Sequence, residues 1–257
     1  MYRTDMSETI KVTGMVLAGT PVGESDKRVV ILTRERGKLS AFAKGARRQN
    51  SPLLAGTRPF SFGEFFLLEG RNSYIIHSMQ ISNYFYELSE DLEGTAYGMY
   101  FLELASYYSY ENMDGSGMIL LLYQSFRALL NKKLENELVR LIFELKAMVQ
   151  NGEYPQMFAC VHCKKTEELM AFSVRENGVV CSLCKRQVAD AMPIAISTVY
   201  ALQYIVSSPV EKLYTFQVSQ EVLLELQKIV KQCMNQRMDR KIKSLEILEE
   251  MKSVFSC

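Results

Sequence analysis

The sequence predicts an α+β protein in which a small five-stranded β-barrel of the OB-fold type precedes an all-α domain with a four-cysteine zinc module embedded in it. Three observations carry this expectation. Short β-branched and aromatic runs broken by turn residues fill roughly the first 80 positions, the signature of a small all-β unit. From Tyr86 onward apolar residues recur at helical spacing. Four of the six cysteines form two Cys-x2-Cys pairs with 17 residues between them. The expected boundaries are 1–82 for the barrel and 83–257 for the helical domain, with the zinc module inserted at 156–190.

The barrel strands are expected at Thr9 to Ala18, Val29 to Thr33, Lys38 to Ala43, Phe60 to Leu68 and Tyr74 to Ile81. Glu35-Arg36-Gly37 supplies the hairpin loop between the second and third, with glycine available for a positive φ. In the fourth strand Phe60, Phe62, Phe66 and Leu68 share one face, interrupted by Glu64. The loop Lys44 to Pro52 is short of apolar anchors and reads as flexible and basic.

Helical spacing then links Leu92, Ala96, Met99, Tyr100 and Leu104, and continues through Met118 to Leu130. Leu134, Leu138, Leu141, Ile142, Leu145, Met148 and Val149 form an amphipathic stripe that Gly152 and Pro155 close. Ser219 is the expected N-cap of a later helix whose buried face is Val222, Leu223, Leu226, Ile229, Val230 and Cys233. The tyrosines and methionines between Tyr97 and Tyr110 read as helical core.

Cys160, Cys163, Cys181 and Cys184 have the spacing of a tetrathiolate zinc site, because a two-residue gap lets both sulfurs of a pair face one ion. Met170 to Val174 and Gly178 to Val180 are expected as short strands around an Asn177-Gly178 turn, which brings the pairs together. Four thiolates leave no open position for water, so the zinc is structural. A redox Cys-x-x-Cys reading is disfavoured because neither pair opens a helix after a strand. His162 is a bystander, and Cys257 is a fraying terminal residue.

The 257 residues carry 30 Lys+Arg against 29 Asp+Glu, and 48% are hydrophobic, which argues against a disordered or fibrous chain. No apolar run reaches the roughly 18 residues needed to cross a bilayer. Met1-Tyr2-Arg3-Thr4-Asp5 lacks the basic start and apolar stretch of a signal peptide, so a cytoplasmic protein is expected. The near-neutral balance hides a block: Lys27, Arg28, Arg34, Arg36, Lys38, Lys44, Arg47, Arg48 and Arg58 are opposed only by Glu35, a local charge of +8 that leaves −7 for the rest. Gathered on one rim of the barrel, such a block is an electrostatic footprint for a polyanion, and a curved basic sheet suits single-stranded nucleic acid. Phe42 is the nearest aromatic that could stack on a base, although an alternating strand aromatic is more often core.

Catalytic patterns are missing. Gly14-x4-Gly19 is followed by Thr20 where a P-loop needs lysine, there is no Gly-x-Ser-x-Gly elbow, and His77 has no acid or cysteine nearby in sequence. The chain reads as a non-enzyme.

Three stretches of the N-terminal part now resemble the bacterial RecO family: Gly23-Glu24-Ser25-Asp26-Lys27-Arg28, Leu32-Thr33-Arg34-Glu35-Arg36-Gly37-Lys38-Leu39 and Ala43-Lys44-Gly45-Ala46-Arg47-Arg48. Gly152-x-Tyr154-Pro155 ahead of the cysteines and the late Lys243-Ser244-Leu245 follow in the family's order. The resemblance implies a DNA recombination and repair mediator. Such a protein binds single- and double-stranded DNA, anneals complementary strands and works with RecR to load RecA onto strands coated by single-strand-binding protein (SSB), whose C-terminal tail it engages. It implies DNA contact at Lys27, Arg28, Arg34, Arg36, Lys38, Lys44, Arg47 and Arg48, zinc at the four cysteines, and a cytoplasmic place on the nucleoid. One departure stands out: Lys164 occupies a position after the second cysteine that is commonly glycine. The residues alone also admit a zinc-stabilised adaptor or an RNA-binding OB protein.

Overall fold

The structure, a computed structural model, describes residues 9–70 and 73–255. The N-terminal pentapeptide and Cys257 lie outside the described residues. By contact the chain falls into two compact units, one built from the chain up to Phe126 together with Ile242 onward, the other from Arg127 to Lys241.

The first unit contains the expected barrel. Strands β1 (Thr9–Val22), β2 (Asp26–Thr33), β3 (Gly37–Ala43), β4 (Phe62–Glu69) and β5 (Tyr74–Asn83) close in the order β1-β2-β3-β5-β4. All pairings are antiparallel except β3 with β5. Strand alternation sends Val12, Val16, Val29, Ile31, Leu39, Ala41, Phe65, Leu67 and Ile76 into one core. Gly37 turns the β2–β3 hairpin at φ 62, where a Cβ would sit 2.1 Å from the Tyr110 carbonyl oxygen, so only glycine fits.

Two features differ from expectation. β1 and β2 continue their ladder beyond Ala18 through Thr20 opposite Arg28 and Pro21 opposite Lys27, so the strands reach Val22 and begin at Asp26. β4 starts at Phe62, and its inward residues are Gly63, Phe65 and Leu67, leaving Phe62, Glu64, Phe66 and Leu68 half-buried on the outer side. Phe60 precedes the strand with φ 74 and meets Phe126 edge-on at 5.4 Å.

Four helices complete this unit: α1 (Tyr86–Glu90), α2 (Leu92–Tyr108), most of α3 (Ser116–Leu129) and α7 (Lys243–Phe255). Aromatic edges seat α3, with Phe62 against Tyr123 and Phe85 against both Tyr123 and Phe126. Glu103 of α2 accepts the Ser244 backbone N–H at 2.9 Å and its hydroxyl at 2.5 Å, capping α7.

The second unit holds α4 (Asn136–Gln150), the sheet of β6 (Leu169–Ser173), β7 (Gly178–Cys181) and β8 (Met192–Pro193), then α5 (Ile196–Ser207) and α6 (Gln220–Arg237). Leu138, Leu141, Ile142, Leu145 and Met148 are buried as their spacing requires, and so is the α6 stripe from Val222 to Cys233. Ser219 caps α6 by accepting the Val222 N–H at 3.4 Å. Lys146 is buried too, its ammonium donating to the carbonyls of Ile205, Val206 and Ser208 at 3.2, 3.0 and 2.7 Å; a cation there complements the C-terminus of α5. Among the described residues no helix is long and apolar enough to cross a membrane.

Candidate nucleic-acid interface and metal centre

The metal centre is assembled by a backbone suture. Asn177 at φ 55 turns β6 into β7, and Gly178 lies so close to the Gln156 carbonyl that a Cβ would meet its oxygen at 2.4 Å. Val161 donates its N–H to Val179 at 3.0 Å and Ser182 donates to Glu168 at 3.0 Å, which lays the first cysteine pair beside the end of β7. Ser173, buried, donates its hydroxyl to Asp190 at 2.6 Å, and Arg175 N–H reaches the same carboxylate at 3.0 Å, fixing the hairpin.

The sulfurs of Cys160, Cys163, Cys181 and Cys184 then lie within 4.8 Å of one another, with Cys163 and Cys181 at 3.5 Å. A tetrahedral ion with bonds of about 2.3 Å needs sulfurs about 3.8 Å apart, so the donor set fits one metal ion. Burial opposes charge on Cys160, yet the N–H groups of Cys163, Cys181 and His162 aimed at its sulfur bring the thiol down to about 6. Cys184 is pushed up to about 12 by its hydrogen bond with Cys163, by burial and by the Cys160 charge. A metal at the site must displace such protons. His162 is exposed and stands outside the sulfur cluster.

Lys164 takes φ 64, the left-handed conformation that glycine enters freely. Its N–H donates to Cys160 at 2.9 Å, closing the knuckle. Lys164→Gly is therefore expected to stabilise the module by about 1 kcal/mol, the usual cost of a side chain in this region. Thermal unfolding of the two proteins side by side checks it, and an unchanged or lower midpoint refutes it.

The expected basic residues do not share one rim. Lys27, Arg28, Lys44, Arg47 and Arg48 gather where β2 begins and β3 ends, whereas Arg34 and Arg36 sit at the hairpin turn. Arg34 is six residues on from Arg28 along β2 and its turn, roughly 20 Å at about 3.3 Å per residue. Arg36 is engaged by the Tyr74 hydroxyl at 3.3 Å and the Glu69 carboxylate at 3.5 Å. Lys38 donates to the Ser106 carbonyl of α2, with Tyr110 6.0 Å from its ammonium.

At the first end the loop after β3 is built into the barrel. Ala46 and Leu53 are core residues, so the segment does have apolar anchors. The Asp26 carboxylate accepts the Gly45 N–H at 2.7 Å, Arg47 N–H donates to the Ser25 carbonyl at 2.9 Å, and the Arg47 guanidinium caps the carbonyls of Gly23 and Glu24 at 3.1 Å each. Among the described residues Lys27, Arg28, Lys44, Arg47, Arg48 and Arg58 pair with no carboxylate within ion-pair distance. Burial, and then the neighbouring charges of Arg58 and Arg47, hold the Lys27 ammonium below the ordinary lysine range. The site thus concentrates uncompensated positive charge on a fixed scaffold.

Two neighbours named from the sequence, but not among the expected DNA contacts, lie at this end. Phe42 faces outward, half-buried, because Ala41 and Ala43 on either side occupy the core; its cross-strand partner is Arg28. Arg58 follows Thr57, whose hydroxyl receives the Lys27 ammonium at 3.3 Å. Strand alternation was the available signal for Phe42, and the +8 block already contained Arg58. His77 is exposed on β5.

A closed five-stranded barrel with a basic end, followed by a helical domain holding four convergent cysteines, defines an OB-barrel protein with a tetrathiolate module. Residues 6–85 match the family described as Recombination protein O N terminal, and residues 89–246 match Recombination protein O C terminal. DNA repair protein RecO of Alkaliphilus metalliredigens (strain QYMF) is 33% identical over 94% of this chain and 99% of its own length. Those of Acetivibrio thermocellus, at 30% over 94% and 97%, and Bacillus subtilis (strain 168), at 28% over 95% of each, are similar throughout. The chain belongs to the RecO family of DNA repair proteins.

Proposed function

We propose that this chain is a recombination mediator that binds single- and double-stranded DNA, anneals complementary strands and, with RecR, helps load RecA onto SSB-coated DNA. The observation that carries the reading is the convergence of unpaired cations on one end of an OB barrel in a chain of this family. In this reading residues 1–82 are the nucleic-acid-binding part and 83–257 the helical domain, with the metal module at 156–190. Contact begins at Lys27, Arg28, Lys44, Arg47 and Arg48 and extends along the hairpin toward Arg34, Arg36 and Lys38. The ion at Cys160, Cys163, Cys181 and Cys184 is Zn2+, because an all-thiolate tetrahedral donor set suits it and a closed site serves folding. The helical domain receives the SSB tail, and the protein acts on the nucleoid in the cytoplasm.

Annealing asks for no catalytic acid or base. Cations on a fixed barrel lower the repulsion between two phosphate backbones while contacts remain loose enough for strands to search register. The test is annealing of SSB-coated complementary oligonucleotides by the purified protein. Acceleration over SSB-coated strands alone supports the reading, and no acceleration with either DNA or RNA strands rejects it.

A further inference from the structure

Lys27, Arg47 and Arg58 come from β2, from the turn after β3 and from the segment before β4, three places the chain had no local reason to bring together. The first two side chains are held by hydrogen bonds and the third by its backbone alone. The Lys27 ammonium is held by the Thr57 hydroxyl at 3.3 Å, and that hydroxyl itself donates to the Leu53 carbonyl at 2.7 Å. The Arg47 guanidinium is braced by two carbonyls. Arg58 is exposed, and its backbone N–H is tied to the Ala55 carbonyl at 3.2 Å. The segment carrying Thr57 and Arg58 lies so close over β1 that a Cβ on Gly19 would meet the Thr57 carbonyl oxygen at 2.9 Å. The Lys27 and Arg47 charges are therefore held by neutral hydrogen bonds and Arg58 is carried on the segment that holds Lys27, with no carboxylate paired to any of the three among the described residues. An anion bound between them would relieve their mutual repulsion.

Phe42 lies at the same end of the sheet but on its outer face: it is paired with Arg28, and Arg28 on its other side with Thr20, whereas the neighbouring pair of Ala43 and Lys27 is on the inward side. Arg28 is oriented by its Nε–H donating to the Ser40 hydroxyl at 2.7 Å. An aromatic face next to a charged end is the combination that takes one unstacked base with its phosphate.

We propose that Lys27, Arg47 and Arg58 form one seat for a backbone phosphate, and that Phe42 beside Arg28, round the edge of the sheet, receives a nearby base of a single strand. This deepens the DNA-binding reading and rests on it. The seat takes a phosphate from single strand or duplex alike, because phosphate contacts carry no base information. The Phe42 face is open only to a base that has left its stack.

Binding of the full chain to oligo-dT and to a blunt duplex, each titrated with salt, separates the two parts. Arg58→Gln is expected to weaken both probes about tenfold and to flatten the log–log salt slope by about 0.7 for the single strand and about 0.9 for the duplex. Phe42→Ala is expected to weaken oligo-dT roughly 5- to 150-fold, the range for losing one base–aromatic stack, and to leave the duplex unchanged. Lys11→Gln, on the outer side of β1 and paired with Glu64, is the control that keeps the parent slope. If the parent binds both probes and Arg58→Gln matches it in affinity and slope, the seat is overturned while the DNA-binding reading stands. If Phe42→Ala weakens both probes equally, the base platform is overturned. A parent that binds neither probe overturns the DNA-binding reading along with the seat.

Discussion

Stripping the metal from Cys160, Cys163, Cys181 and Cys184 is expected to unfold residues 156–190 while the barrel persists. The module's sheet has strands of only five, four and two residues, and its buried side chains are few: Leu169, Ala171, Phe172, Val179 and Val180 form most of the interior. A core of that size does not offset the entropy of ordering some 35 residues, at about 1 kcal/mol or more for each backbone unit. Structural zinc supplies on the order of 10 kcal/mol in peptides of this kind, enough to reverse the balance. Protein purified without added metal is expected to contain one zinc per chain. A strong chelator should release it together with loss of amide-exchange protection in β6 and β7, and Cys160→Ser should reproduce that loss without chelator. Metal-free protein with four titratable thiols and full protection in β6 and β7 would show that the hairpin stands by itself.

That centre was legible because its constraint is local in sequence: two x2 gaps and an Asn-Gly turn are enough to predict that four sulfurs meet. The barrel was legible for a similar reason, since alternation in β2 and β3 fixes which residues turn inward. β4 was not. Phe62-Gly63-Glu64-Phe65-Phe66-Leu67-Leu68 is apolar at both parities, so periodicity alone cannot choose a face. Packing settles it: Phe65 and Leu67 join the barrel core, while Tyr123 of α3 covers Phe62 from outside. The fate of the cations was equally hidden. Lys38 is held by Ser106, 68 residues away, and Arg36 by Glu69 and Tyr74, pairings no local pattern announces. The loop after β3 looked unanchored because Ala46 is a lone small apolar residue among polar ones and Leu53 comes just beyond the loop, yet each fills a place in the core. The sequence thus showed the size of the charge block, and tertiary structure decided how it divides.

The two groups of cations differ in what their removal should do. If binding is carried by uncompensated charge at the start of β2, Arg47→Glu/Arg48→Glu should weaken single-stranded DNA binding at least tenfold at moderate salt. For a parent contacting about six phosphates the slope of log K against log salt is near −4, and losing two contacts should bring it to about −2.5. Both side chains are exposed, so the core is untouched. The carbonyls of Gly23 and Glu24 would lose their donor in the double variant, and Arg48→Glu alone, which leaves those bonds intact, guards against a folding artefact. Lys38→Gln offers the contrast. Its ammonium is held by the Ser106 carbonyl of α2, so its removal should lower the thermal midpoint and change the salt slope less than either glutamate variant. Equal slopes for the parent and the Arg47→Glu/Arg48→Glu protein would mean that the basic end of the barrel does not meet the phosphates. A slope lost with Lys38→Gln instead would place them on the side of the hairpin that faces α2.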